Sequence, residues 1–90
     1  MDEIYQDTTN LDFIPIGEII AERERQIKKW GRQRHTLRGW FSILKEEVAE
    51  LECNMVMADE GYYDNLAMLR KEAIEVAVVA LVLANLRAEK

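Results

Sequence analysis

Ninety residues limit the chain to one small domain, since so short a chain buries only about 60 to 65% of the surface its unfolded form exposes. Twelve basic against seventeen acidic residues give a net charge of −5, which excludes a nucleic-acid or anionic-membrane surface built on clustered Lys and Arg. The single cysteine, Cys53, excludes an internal disulfide, and no N-terminal stretch has the basic-then-apolar form of a signal peptide, so a reducing cytoplasm is the expected location.

Residues 1 to 15 mix Asp, Thr and Asn with Ile4, Tyr5, Phe13 and Ile14, and they read as an extended arm whose apolar residues seek a neighbour. Pro15 closes that arm where a first-turn proline is tolerated. From Ile16 to Trp30 the apolar positions Ile16, Ile20, Ile27 and Trp30 recur at helical spacing, which predicts a first helix ended by Gly31. Gly31 to Gly39 has no apolar period and carries three arginines and the only histidine, so it reads as a basic loop. A second helix is predicted from about Trp40 to Ala58 and a third from about Asn65 to Ala88, with Gly61 in the break between them suited to a left-handed helix stop. The connection is short, so the second and third helices should lie antiparallel. Val76 to Ala84 is a run of nine apolar residues, too short for the roughly twenty of a bilayer span and apolar all round. A helix of that kind needs cover on every side, which in so small a chain predicts a homo-oligomer, dimer or tetramer, completing an all-α antiparallel bundle. The expected organisation is thus an arm over 1–15 and one α-helical domain over 16–90.

Two glutamate pairs at i,i+3 spacing, Glu47/Glu50 and Glu72/Glu75, stand inside the second and third helices. Each helical residue advances about 100°, which puts Trp40, Ile43, Leu44 and Leu51 within roughly 60° of Glu47. The same projection about Glu72 collects Leu69, Val76, Val79, Leu83 and Leu86. Both pairs therefore point where a core should be. Glu50 lies nine residues before Asp59 and Glu72 eight after Asp64, so the pairs should meet at similar heights above the turn. Two like charges about 5 Å apart at an effective dielectric near 20 repel by roughly 3 kcal/mol. Either some of these carboxyls keep their protons, or a hard divalent cation neutralises them. Oxygen donors without His or Cys favour Mg²⁺, with Mn²⁺ as the alternative, over Zn²⁺ or Cu²⁺.

Glu46-Glu47-Val48-Ala49-Glu50, then twenty-one residues, then Glu72-Ala73-Ile74-Glu75, resembles the EExxE and ExxD signature of the MazG-like all-α nucleoside triphosphate pyrophosphohydrolases. Glu22-Arg23-Glu24-Arg25-Gln26, Lys29-Trp30-Gly31 and Trp40 look like the first-helix pattern of small phage- and bacterial-type members, so the resemblance covers most of residues 22 to 84. Glu75 departs from the pattern, standing where the family has Asp. The resemblance implies Mg²⁺-dependent hydrolysis of an NTP or dNTP to the monophosphate and pyrophosphate, a nucleotide house-cleaning activity. It implies Glu47, Glu50, Glu72 and Glu75 as metal ligands, and Glu46 becomes the candidate to hold the attacking water.

Gln26 and Trp30, one helical turn apart, pair an amide with an indole and are candidates to read and stack on a base. Arg23 falls in the apolar stripe of the first helix and should meet a carboxylate or phosphate, and Lys29, Arg32, Arg34 and His35 are candidates for the triphosphate tail. Lys71 suits either a salt bridge or a phosphate contact, while Glu52 and Cys53 are read as surface and structural residues. The competing class is a non-enzymatic helical oligomer in which the glutamates form inter-subunit salt bridges with Arg23, Arg25 or Lys71. A di-iron carboxylate bundle is disfavoured, because neither glutamate pair is followed by the histidine of a Glu-x-x-His motif.

Overall fold

A computed structural model describes residues 4–10, 12, 14–61 and 65–89, with Asn65 described by its backbone alone. Phe13 of the expected arm and the Tyr62-Tyr63-Asp64 part of the second turn lie outside the described residues. The chain is all-α, with α1 at Ile16–Trp30, α2 at Leu37–Asp59 and α3 at Asn65–Ala84. The last of these is the central element, packing against both α1 and α2.

The start of α1 matches its apolar period. Pro15 precedes it, the Ile19 amide donates to the Pro15 carbonyl, and the helix stops at Gly31, whose φ of 73° favours glycine. Helix α2 begins three residues earlier than its apolar period suggests, because Thr36 caps it: the hydroxyl accepts from the Gly39 amide at 3.0 Å. Alanine at Thr36 costs about 1 kcal/mol by removing that bond. Gly39 fits beneath the cap, since a Cβ there would sit 3.1 Å from His35 Cβ and 3.3 Å from Thr36 Oγ1. Helix α3 ends at Ala84, four residues short of the expected limit. There Asn85 turns its amide Nδ2 back onto the Leu81 carbonyl at 2.9 Å, and its backbone amide bonds to Val82 in a tighter i to i−3 turn.

The core is small: Trp40, Ala58, Val78 and Val79 are its buried apolar residues among those described. Val78 is wholly enclosed, worth about 2 kcal/mol in transfer free energy. Arg70 of α3 fixes the lower end of α1 through a two-pronged ion pair with Glu18, its Nη2 lying 2.6 Å from Glu18 Oε1. At the other end Arg34 pairs with Glu89 at 2.6 Å, tying the α1–α2 connection to the segment after α3. Outside this frame α2 leaves a stripe of Leu37, Phe41, Val48 and Met55 exposed, and Leu66 and Leu81 of α3 are exposed too. Among the described residues no helix is long and apolar enough to cross a membrane.

Candidate functional site

The antiparallel α2–α3 hairpin brings Glu47 and Glu50 against Glu72 and Glu75, with one carboxylate oxygen from each lying within 4.8 Å of all the others. Glu72 is only 8% exposed and Glu47 and Glu75 are half-buried, whereas Glu50, expected to face the core with Glu47, is exposed at the edge of the cluster. Oε2 of Glu47 and Oε2 of Glu72 are both shut off from solvent with no hydrogen-bond partner. An orphaned buried carboxylate oxygen is costly, and here two residues of one cluster each carry one.

The electrostatics follow from the geometry. Burial first, and then the neighbouring charges of Glu50, Glu75, Glu72 and Glu46, raise the Glu47 pKa from 4.5 to about 7. Glu72 is also raised, by burial, by its hydrogen bond with Glu75 and by the charges of Glu75 and Glu50, with Lys71 pulling the other way. Two nearby arginines are engaged elsewhere, and Lys71 acts on Glu72 only through its charge. Arg25 holds Glu22 at 2.6 Å and Arg70 holds Glu18, so the glutamates gain no ion pair within the chain among the described residues. Four carboxylate oxygens within 4.8 Å of one another are the donor type that a hard divalent cation such as Mg²⁺ takes.

A cleft of about 140 Å³ opens beside Glu47, walled by Arg23, Gln26 and Trp30 of α1, Trp40 and Ile43 of α2, and Val79 and Val82 of α3. Three of the residues expected to meet substrate therefore line one cavity together with a member of the acidic cluster. Lys29, Arg32, Arg34 and His35 stand outside the lining, and Lys29 sets its Nζ 4.6 Å from the Trp30 ring centroid. Arg23 is half-buried, with Nη1 3.5 Å from Gln26 Oε1, while the Gln26 amide donates to Glu22 Oε2 at 3.1 Å. Trp30 is 54% exposed, so in the single chain its indole is a wall of the cleft rather than core.

Glu46 is exposed and stands outside the cluster of four. Cys53 is exposed and free, so it contributes nothing to the core that a structural role would require. Gln33 also lines the cleft, and sequence reasoning passed it over because a polar residue in an aperiodic loop carries no signal of direction. His35 packs edge-on to Trp40, one of the cleft-lining residues, with ring centroids 4.8 Å apart.

Fold and site together define a class: an all-α helical bundle with a partly buried carboxylate cluster next to an indole-walled cleft. No family model, curated protein or solved structure matches this chain.

Proposed function

We propose that the protein is a Mg²⁺-dependent nucleoside triphosphate pyrophosphohydrolase, similar to the MazG-like enzymes, that converts an NTP or dNTP to the monophosphate and pyrophosphate. The observation that carries the reading is the pair of buried, partnerless oxygens of Glu47 and Glu72 inside a cluster of four carboxylates. A bound divalent cation would satisfy those oxygens, and so would Arg23, Arg25 or Lys71 of a second copy in the competing reading of a non-enzymatic interaction protein; Mg²⁺-dependent pyrophosphate release separates the two.

Glu47, Glu50, Glu72 and Glu75 would hold Mg²⁺ or Mn²⁺, which when bound offsets phosphate charge and makes water a better nucleophile. The chain's own residues do the rest. Arg23 and Gln26 offer hydrogen bonds to the nucleoside in the cleft, Trp30 offers an indole face, and Lys29 lends charge at the rim. One water is consumed. Its oxygen bonds to the α-phosphorus, the α–β anhydride bond breaks with its electron pair kept by pyrophosphate, and the two water protons leave for solvent. We assign to Glu46, exposed and adjacent to Glu47 in sequence, the acceptance of the first of those protons.

The test is a panel of canonical and modified NTPs and dNTPs assayed for pyrophosphate in the presence of Mg²⁺. Release of pyrophosphate from at least one of them is expected, and inorganic phosphate as the sole product from all would end the proposal. The exposed Leu37, Phe41, Val48 and Met55 stripe supports a homo-oligomer, since an apolar helix face in so small a chain gains by meeting a second copy. Sedimentation of the wild type should report a dimer or tetramer, and Phe41→Glu should shift it toward the monomer. A wild type that sediments as a monomer at micromolar concentration would refute this.

A further inference from the structure

A second opening reaches the carboxylate cluster. A groove of about 420 Å³ runs between α1 and α3, where Glu18, Glu22 and Arg25 face Arg70, Lys71 and Glu75. Glu75 lines this groove whereas Glu47 lines the indole-walled cleft, so each cavity touches the acidic cluster through a different member. The two cavities occupy successive levels of α3, the groove at residues 70–75 and the cleft at Val79 and Val82. From Lys71 to Val79 a helix rises ~12 Å, comparable to the reach from base to terminal phosphate in an extended nucleoside triphosphate.

The three cations of the groove are not equivalent. Arg70 is committed to Glu18 by two hydrogen bonds and holds α1 to α3. Arg25 is paired with Glu22 but stays half-exposed, so its guanidinium keeps free donors. Lys71 is exposed and has no ion-pair partner among the described residues, and its charge is felt by both Glu22 and Glu72. An exposed ammonium, unpaired among the described residues and beside a cluster that repels anions, makes that side of the cluster acceptable to a polyanion.

We propose that the α1–α3 groove binds the departing pyrophosphate, with Lys71 and Arg25 contacting its oxygens while the nucleoside stays in the cleft beside Glu47. This assignment rests on the pyrophosphohydrolase reading and gives the substrate a direction through the site. The two negative ends of the reaction are thereby separated. The monophosphate is retained by cleft residues, and the pyrophosphate leaves past Lys71 by the open side of the groove.

Calorimetric titration of the full chain with pyrophosphate in millimolar Mg²⁺ tests it directly. Lys71→Gln should weaken pyrophosphate binding about tenfold, the loss expected for one charge-assisted hydrogen bond. Arg25→Gln should weaken it less, because Glu22 already occupies one side of that guanidinium. Lys71→Arg should restore most of the affinity, and neither nucleoside monophosphate binding nor Mn²⁺ binding by electron paramagnetic resonance should move in Lys71→Gln. Unchanged pyrophosphate affinity in Lys71→Gln, an equal loss in Gln26→Ala in the indole-walled cleft, or no pyrophosphate binding by the wild type would each overturn the groove assignment. Triphosphate turnover measured on the same wild-type sample separates the two ideas. Turnover alongside any of those three results ends the groove assignment alone, whereas no turnover of any triphosphate ends both.

Discussion

Glu47→Gln and Glu72→Gln should each lower pyrophosphate release by a factor of about 10³ or more while raising the stability of the metal-free protein. A lost oxygen ligand forfeits several kcal/mol of charge stabilisation in the reaction, and about 1.4 kcal/mol corresponds to a tenfold change in rate. In the absence of metal the same change removes a repulsive charge from a site where four carboxylate oxygens crowd within 4.8 Å. At Glu72 the substitution does more: an amide can donate to Glu75, giving the buried position a hydrogen bond that ionised carboxylates cannot make to one another. The opposite movements of activity and stability are the diagnostic. A residue whose charge held the fold together through salt bridges would lose stability on neutralisation, and the melting temperature would fall. Steady-state pyrophosphate assays and thermal melts in chelator, run on the same preparations, distinguish the outcomes. Wild-type turnover in either variant would remove that glutamate from the ligand set.

Much of this arrangement could be read from the sequence because it depends on local periods and on counting. The i,i+3 spacing fixes each glutamate pair on one helix face, and the similar distances to the turn fix their shared height, so the meeting of Glu47 and Glu50 with Glu72 and Glu75 needs no tertiary information beyond a short connection. The bounds of α1, Ile16–Trp30, were legible for the same reason. What the periods do not carry is which face of an all-round apolar helix is chosen. The projection about Glu72 selects Val79 but omits Val78, about 120° away from that glutamate, and Val78 is nevertheless the most enclosed side chain because α3 has helices on two sides. The early start of α2 at Leu37 depends on the Thr36 cap, a hydrogen bond rather than an apolar repeat. The α1–α3 groove was equally hidden, since it joins residues some fifty positions apart whose charges look like ordinary solvated helix pairs when read along the chain.

Without metal, the melting temperature should fall as pH rises from about 5 to about 8, and millimolar Mg²⁺ should reduce or abolish that fall. The sign follows from Glu47. Its carboxyl keeps a proton in the folded chain up to about pH 7, whereas an unfolded chain releases it near 4.5, so between those values the folded state binds more protons. Stability linked to this group is therefore fully present below about 4.5 and is lost as pH climbs through about 7; Glu72, raised in the same direction, adds to the decline. Glu18 and Glu22 act in the opposite sense, since their ion pairs with Arg70 and Arg25 lower their pKa values. Their contribution is complete above about 4.5, so it leaves the window from 5 to 8 to the acidic cluster. After discounting for the water that reaches half-buried Glu47, the loss amounts to about 2 kcal/mol, or a melting shift on the order of 10 °C in a domain of this size. A bound divalent cation reverses the preference, because only ionised carboxylates ligate it, and its stabilisation grows with pH over the same interval. A set of melts at pH 5, 6, 7 and 8, with Mg²⁺ or with chelator, reads both slopes at once. Parallel curves in the two conditions would mean that the glutamates meet without capturing a cation.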